Sequence, residues 1–177
     1  SLQNGLANEA RMAAAFPQNR ILAGAICAYT ELVGPGRVLW SDDRGGIAFG
    51  VFHPVAQFQS PQIVAAAQEV RAWLAASGLE VRFVDTADGA ARVKWSKLML
   101  NVSFNALNAA TGLSASEILA HPEHGLLAAQ ALCEGFRVMA RQGVRPTDLP
   151  GYPVTQLALL CRLPAALVRR VLAWKTR

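Results

Sequence analysis

Four polar side chains recur at helical spacing inside a segment that is otherwise mostly apolar: Lys97, Asn101, Asn105 and Asn108. At about 100° per residue in an α-helix they fall within an arc of about 80°, and we call this set the polar stripe. An ammonium can hydrogen-bond a carbonyl oxygen and give it a proton as negative charge develops there. Carboxamides further along the helix can hold a carboxylate or a hydroxyl. The stripe therefore predicts one wall of a site for a small oxo acid.

The composition of the stripe supports a site but leaves a simpler alternative open. Asparagine is a mediocre helix former, and an ordinary solvated face uses Glu, Lys, Gln and Arg. Because the rest of the segment is apolar, we expect the helix to be buried around most of its circumference. The alternative is a wet face, or asparagines that satisfy contacts between helices. Arg92 and Lys94 are interpreted as surface charges of the same helix that point away from the stripe.

The elements that must position the stripe follow from periodicity and from turn and cap signals. Strands are predicted at residues 20–32, 38–40, 47–52 and 79–84. Helices are predicted at residues 9–16, 61–76, 91–111, 123–143, 154–162 and 163–175. A turn is expected at Gly34-Pro35-Gly36, and Gly112 is a natural stop for the stripe helix. Ser114 and Glu117 then form a capping-box pattern.

The strand signals end near residue 86. The predicted fold is therefore α/β over residues 1–86 followed by all-α over residues 87–177. The polar stripe begins just past this junction, so the helical part carries the predicted chemistry.

Composition excludes some classes of partner. The net charge of +5 comes from residues 145–177, which lack interleaved aromatics beyond Trp174 and carry no nucleic-acid motif, so we expect no nucleic-acid partner. No run approaches the roughly 18 apolar residues of a membrane helix, and no signal peptide is evident. Three scattered cysteines predict reduced, buried thiols and a cytoplasmic protein. His121 and His124 are interpreted as a solvated helix terminus, because no third metal ligand is evident.

Four segments of the chain carry a family resemblance: LQNG at residues 2–5, ELVGPGRV at 31–38, WSKLMLNVSFNAL at 95–107 and LPGYP at 149–153. In these segments the chain resembles the ketopantoate reductase family, and Trp-x-Lys-Leu-x-x-Asn-x-x-x-Asn is the most specific of them. The resemblance implies NADPH-dependent reduction of a 2-oxo acid, such as 2-dehydropantoate, to the 2-hydroxy acid. It also implies that residues 1–86 close a Rossmann-type nucleotide-binding domain. Residues 87–177 would form a helical substrate-binding domain that makes a homodimer.

The resemblance implies a role for each matched residue. Lys97 would be the acid that acts on the ketone, and Asn101 and Asn105 would contact the substrate. Asn4 would lie on the loop at the junction of cofactor and substrate. Where the family often has Asn-Gly-Glu, this chain has Ala-Ser-Glu at residues 115–117, and Asn108 or a nearby serine is expected to replace the lost amide.

Departures from the family pattern limit what these residues would do alone. The chain has no Gly-x-Gly-x-x-Gly turn for a dinucleotide and lacks the family's last stretch. We expect a piece of a longer reductase that is inactive by itself. Two alternatives are a β-hydroxyacid dehydrogenase, which also has a helical Lys and an Asn four residues later, and a non-catalytic helical module for dimerisation.

Overall fold

A computed structural model describes residues 1–16, 20–28, 30–40, 45–52 and 60–175. The strands within these residues are β1 (Ile21–Ile26), β2 (Thr30–Gly34), β3 (Arg37–Trp40), β4 (Gly46–Phe52) and β5 (Glu80–Phe83). The helices are α1 (Asn8–Ala15), α2 (Pro61–Ala75), α3 (Gly89–Thr111), α4 (Ala115–Ala120), α5 (Pro122–Arg141), α6 (Val154–Leu160) and α7 (Ala165–Lys175). The predicted order, α/β followed by all-α, is confirmed.

Most predicted elements differ from the structure only by a few residues at their ends. The exception is the strand predicted over residues 20–32, which is two strands, β1 and β2. They belong to different sheets: β1 pairs with β4, whereas β2 forms a hairpin with β3. The apolar run was a correct signal for β1, but hydropathy alone does not show where a chain leaves one sheet for another.

The residues pack into two units. Unit 1 comprises residues 1–97 and 147–153, and unit 2 comprises residues 98–146 and 154–177. Helix α3 contributes to both, because Lys97 is its last residue in unit 1. The division of the chain into a nucleotide-binding part and a helical substrate part at residue 86 stays a prediction about function.

Unit 1 is built on a sheet of strand order β1-β4-β5, with β1 antiparallel and β5 parallel to β4. The parallel pair is joined through α2, whose buried residues Ile63 and Ala67 pack on the apolar face of β4. Phe49 and Phe83 stack at 5.2 Å between ring centroids.

The first turn of α3 lies directly against β4. Gly50 leaves the space for this approach, since a Cβ atom at Gly50 would lie 2.4 Å from the backbone N of Ala90. No side chain fits between the two backbones at that point. The start of the stripe helix is therefore held by the sheet itself.

Unit 2 is a cluster of helices in which α5 packs against α4 and α7. Ala129, Cys133 and Val168 form its described core cluster. The predicted capping box is confirmed at α4, where Ser114 accepts from the backbone N of Glu117 and the Glu117 carboxylate accepts from the backbone N of Ser114. Gly112, at φ +70°, follows the end of α3 as predicted.

Among the described residues, no helix is both long enough and apolar enough to cross a lipid bilayer.

Candidate functional site

Helix α3 buries a wider face in unit 1 than in unit 2. The buried side chains of the helix in unit 1 are Ala90, Val93, Lys94 and Ser96, and those in unit 2 are Met99 and Ser103. At 100° per residue, Met99 lies about 160° around the helix from Lys97. The polar stripe therefore continues the face that is buried in unit 1, and in unit 2 it lies on the side away from Met99.

The stripe residues are less enclosed than the sequence predicts. Lys97, Asn101 and Asn108 are half-buried, and Asn105 is exposed. The expectation of a helix buried around most of its circumference is wrong for the second half of α3, because there Met99 and Ser103 are its buried side chains. The roles of the stripe residues in substrate binding stay predictions.

Asn108 has a local partner at the end of α3. Its amide nitrogen donates a hydrogen bond of 2.6 Å to the carbonyl of Leu113, in the loop that follows the helix. Thr111 adds to this closure, since its hydroxyl accepts from the backbone N of Leu113. At Asn108 the simpler alternative, an asparagine that satisfies a structural contact, therefore has direct support.

Lys97 lies within electrostatic range of the thiol of Cys27, which follows β1. Burial raises the pKa of Cys27 to about 11, and the positive charge of Lys97 opposes that rise. Cys27 is buried, and its backbone N donates to the carbonyl of Gly46 at 2.8 Å. The Lys97 ammonium thus lies within electrostatic range of the residue that follows β1.

Lys94 is not a surface charge, and this prediction was wrong. Its side chain is only 6% exposed, and its Nζ lies 2.9 Å from Oε1 of Glu9, whose side chain is 1% exposed. Three residues make about 300° of helix, so Lys94 lies within the arc of the stripe, one turn before Lys97. The helical position of Lys94 was readable from the sequence. Its partner Glu9, 85 residues away in the chain, was not.

The loop that carries Asn4 begins beside β1. The backbone N of Ser1 donates to the carbonyl of Leu22 at 2.7 Å, and the backbone N of Gly24 donates to the carbonyl of Ser1 at 2.8 Å. These two bonds have the pattern of a parallel bridge. The loop of residues 3–5 that follows, which we call the Asn4 loop, therefore lies at the carboxyl end of β1.

The Asn4 loop is held by contacts to its backbone, while the Asn4 side chain is exposed. Lys94 Nζ donates to the carbonyl of Gln3, and Asn8 Nδ2 donates to the carbonyl of Asn4 at 2.9 Å. Gly5 has a φ of +95°, which favours glycine. The structure thus brings the Asn4 loop to the helical turn that precedes Lys97.

The two residues that precede the LPGYP segment are held within unit 1 by hydrogen bonds. The buried hydroxyl of Ser96 accepts from the backbone N of Thr147 at 2.9 Å. Arg82 donates to the carbonyl of Asp148 at 3.0 Å. Ser96, next to Lys97, thus has a structural role that accounts for its burial.

Each unit has a cavity lined by residues other than the stripe. In unit 1 a cavity of about 170 Å³ lies among α1, the sheet and the start of α3, and both Glu9 and Lys94 line it. In unit 2 a mainly apolar cavity of about 410 Å³ has Arg162 as its one charged lining residue. The prediction of a chamber around the stripe therefore stays a prediction.

The two histidines lie at the start of α5. His121 Nδ1 accepts from the backbone N of His124 at 3.4 Å, and the two rings stack at 4.1 Å between centroids. Among the described residues, no group of three or more His, Cys, Asp or Glu side chains could hold a metal ion. The interpretation of this pair as a helix terminus is consistent with both observations.

Comparison with protein families gives matches over most of the chain. The family "Ketopantoate reductase PanE/ApbA" matches residues 1–54, and "Ketopantoate reductase PanE/ApbA C terminal" matches residues 90–166. The second match contains the whole polar stripe. No curated protein matches the chain.

Solved structures show the same fold. The structure of 2-dehydropantoate 2-reductase from Geobacter metallireducens GS-15 aligns with a TM-score of 0.71 at 26% identity, over 96% of this chain and 55% of that one. A PanE/ApbA family ketopantoate reductase from Ralstonia eutropha JMP134 aligns with a TM-score of 0.62 at 26% identity, over 92% of this chain and 46% of that one.

A third structure, a complex of D-mandelate dehydrogenase with NADH, aligns with a TM-score of 0.69 at 21% identity, over 90% of this chain and 48% of that one. At this identity the likeness concerns the fold alone. The chain spans about half the length of these three structures. The predicted architecture, the closing part of a Rossmann-type domain followed by a helical domain, is confirmed.

Proposed function

This chain belongs to the ketopantoate reductase family, and we propose that the protein expressed from its complete coding sequence reduces a 2-oxo acid to the 2-hydroxy acid with NADPH. The observation that carries the proposal is the polar stripe on α3, inside the region matched to the family. Its lysine is half-buried and within electrostatic range of Cys27, and its first two amides follow at one and two helical turns.

In the proposed reaction, Lys97 supplies the proton. When bound, the nicotinamide supplies a hydride, which forms the new C–H bond at C2 of the substrate. The Lys97 ammonium hydrogen-bonds the ketone oxygen and donates the proton that completes the hydroxyl group. A positive charge at this oxygen stabilises the negative charge that develops there, so the same residue lowers the barrier before the proton moves.

The amides orient the substrate and do not take part in bond making. Asn101 and Asn105 would hold the carboxylate of the oxo acid through N–H donors, without changing the net charge of the site. Asn105 is exposed and Asn101 is half-buried, which leaves both side chains available to a ligand. Asn108 would contribute with those parts of its amide that Leu113 does not use.

The Asn4 loop is the part of the chain that fits a nicotinamide cofactor. It follows a parallel bridge at the carboxyl end of β1, and cofactors of α/β proteins commonly bind at this edge of a sheet. Its backbone is held and the Asn4 side chain is exposed, so Asn4 would meet the cofactor. Residues 1–177 contain no Gly-x-Gly-x-x-Gly turn, so we expect them to show no turnover alone.

Localisation and assembly complete the proposal. The three cysteines are free thiols, as a protein of the reducing cytoplasm would have. We expect a homodimer formed by the helical residues 87–177. Light scattering on the complete protein tests this expectation, and a monomer would contradict it.

The experiment that tests the function is a matched substrate panel on the complete protein. It compares 2-dehydropantoate and other 2-oxo acids with 3-hydroxy acids, each with NADPH and with NADH. We expect the highest kcat/KM for a 2-oxo acid with NADPH. Turnover of 3-hydroxy acids alone would instead assign a β-hydroxyacid dehydrogenase. No turnover, together with dimers in light scattering, would assign a dimerisation module.

A further inference from the structure

We propose that Lys94, paired with Glu9, is a positioning residue that fixes the Asn4 loop relative to Lys97. The inference rests on the proposed function, because that function gives Asn4 its contact with the cofactor and Lys97 its role as acid. All of these residues belong to unit 1.

Lys94 connects three elements that are distant in sequence. It lies on α3, its ammonium is 2.9 Å from Glu9 on α1, and it also donates to the carbonyl of Gln3 in the Asn4 loop. An ammonium has three donors in a compact group, so one side chain can serve both partners. The result is a contact that ties the loop before α1 to the helix that carries the stripe.

The Lys94–Glu9 salt bridge is buried, which restricts the positions that its two side chains can take. The side chains of Lys94 and Glu9 are 6% and 1% exposed, so each is almost fully removed from bulk solvent. A buried ion pair gives little net stability over apolar side chains of similar volume, but it requires one arrangement of its partners. A salt bridge at this position therefore specifies where the Asn4 loop lies, beyond holding α1 to α3.

The contact to Gln3 acts on the residue next to Asn4. The loop backbone is held on one side by Lys94 at the carbonyl of Gln3 and on the other by Asn8 at the carbonyl of Asn4. Fixing both carbonyls sets the direction in which the Asn4 side chain leaves the backbone. Since Lys94 is one helical turn before Lys97, the same contact sets the distance between the two predicted functional groups.

The test compares Lys94→Met with Lys94→Arg in the complete protein. Met keeps the length of the side chain and removes its donors, whereas Arg keeps the charge and the donors. For Lys94→Met we expect the KM and Kd for NADPH to rise about 10-fold to 100-fold, as misplacement of a binding group by about 1 Å can cause. Lys94→Arg should recover most of that loss. The control is Glu80→Gln, which removes an exposed salt bridge in the same unit, with 3.8 Å between Glu80 Oε1 and Arg82 Nη2. It should leave the KM for NADPH unchanged.

A double-mutant cycle with Asn4→Ala separates positioning from general stability. If Lys94 acts through Asn4, Lys94→Met should change the KM for NADPH by less than about 2-fold in the Asn4→Ala background. Multiplicative effects of the two substitutions would overturn the proposal. If Lys94→Met fails to fold, the double variant Glu9→Gln/Lys94→Met removes both buried charges and tests the same contact.

Amide hydrogen exchange decides the proposal even if the protein reduces no oxo acid. We expect the amides of residues 3–5 to exchange faster in Lys94→Met and at the wild-type rate in Glu80→Gln. Unchanged exchange at residues 3–5 would overturn the positioning role, whatever the activity. Failure of the wild type in the substrate panel would reject the proposed function separately.

Discussion

Unit 1 and unit 2 differ in what their buried side chains carry. Among the described residues, the buried charged groups, Glu9 and Lys94, belong to unit 1, whereas buried hydroxyls occur in both units, at Ser96 and Thr147 in unit 1 and at Ser103 in unit 2. The described core cluster of unit 2 consists of aliphatic side chains and thiols. Burial raises the pKa of Cys161, which packs against that cluster, and the neighbouring thiol of Cys133 raises it further.

The chemistry of the buried side chains indicates which unit has a fixed geometry and which can adapt to a substitution. Ion pairs and hydrogen bonds depend on direction, so unit 1 allows one arrangement of the Asn4 loop and the start of α3. Aliphatic and sulfur-containing side chains can repack around a change. Asn4 and Lys97 belong to unit 1, whereas the amides of the stripe belong to unit 2.

The largest effect is expected at Lys97, the last residue of α3 that belongs to unit 1. Lys97→Ala should lower the kcat of the complete protein about 10²-fold to 10⁴-fold, because it removes the proton donor. Lys97→Arg keeps the charge but holds its proton too tightly to replace the acid, so kcat should stay low. Val102→Ala, an exposed position of α3 outside the stripe, is the control. Near-normal turnover of Lys97→Ala, measured at saturating substrate, would remove Lys97 from the mechanism.

The next effect compares one buried substitution in each unit. Lys94→Met leaves the Glu9 carboxylate buried without its partner and should cost about 3 kcal/mol in the free energy of unfolding. Met139→Leu, at an equally buried position of unit 2, keeps volume and polarity and should cost less than about 1.5 kcal/mol. Urea unfolding measures both. Equal losses would mean that the two interiors tolerate change alike.

Two glycines make the same comparison through backbone packing. A Cβ at Gly50 would meet backbone atoms of Gly89 and Ala90 at 2.4 Å, whereas at Gly135 it would meet the flexible Met99 side chain at 2.9 Å. Gly50→Ala should therefore cost about 2 kcal/mol or more. Gly135→Ala should stay within about 1 kcal/mol of wild type, because Met99 can move and alanine favours a helix. Thermal unfolding midpoints in the reverse order would contradict the comparison.

The smallest effect is a dependence of stability on pH. Burial raises the pKa of Glu9, but the Lys94 ammonium and hydrogen bonds outweigh it and leave the pKa below its usual value. The contribution of Glu9 is therefore complete above about pH 4.3 and is lost as pH falls through the lowered pKa. The difference in free energy of unfolding between wild type and Glu9→Gln should narrow on acidification below about pH 4.

Glu117 in unit 2 is an exposed glutamate whose pH dependence can be compared with that of the buried Glu9. Hydrogen bonds from Ser114 lower its pKa as well, but its side chain is exposed in the capping box of α4. The difference in free energy of unfolding between wild type and Glu117→Gln should also narrow as the pH falls, but by a smaller amount. A difference for Glu9→Gln that stays constant between pH 7 and pH 3 would mean that Glu9 does not titrate as described.

Features that depend on neighbouring residues could be predicted from the sequence, whereas contacts between residues distant in the chain could not. Apolar periodicity, Gly112 and the Ser114–Glu117 pattern predicted α3 and its end, since helix periodicity and capping depend on neighbouring residues. The interpretation of Lys94 as a surface charge failed because lysine is rarely buried without a partner, and Glu9 is on another helix. The family resemblance was available from the WSKLMLNVSFNAL segment alone, but the contacts that hold the Asn4 loop required the fold.

The central claim is that the face of α3 bearing Lys97 serves the reduction of a 2-oxo acid. Transfer of deuterium from C4-labelled NADPH tests it most directly, with product analysis by mass spectrometry and NMR. We predict a 2-hydroxy acid that carries one deuterium at C2, formed at similar rates by the complete protein and by Gly135→Ala and at least about 10²-fold more slowly by Lys97→Ala. Absence of labelled product from every 2-oxo acid, with labelled NADH as well as NADPH, would contradict the account, and so would equal labelling by Lys97→Ala.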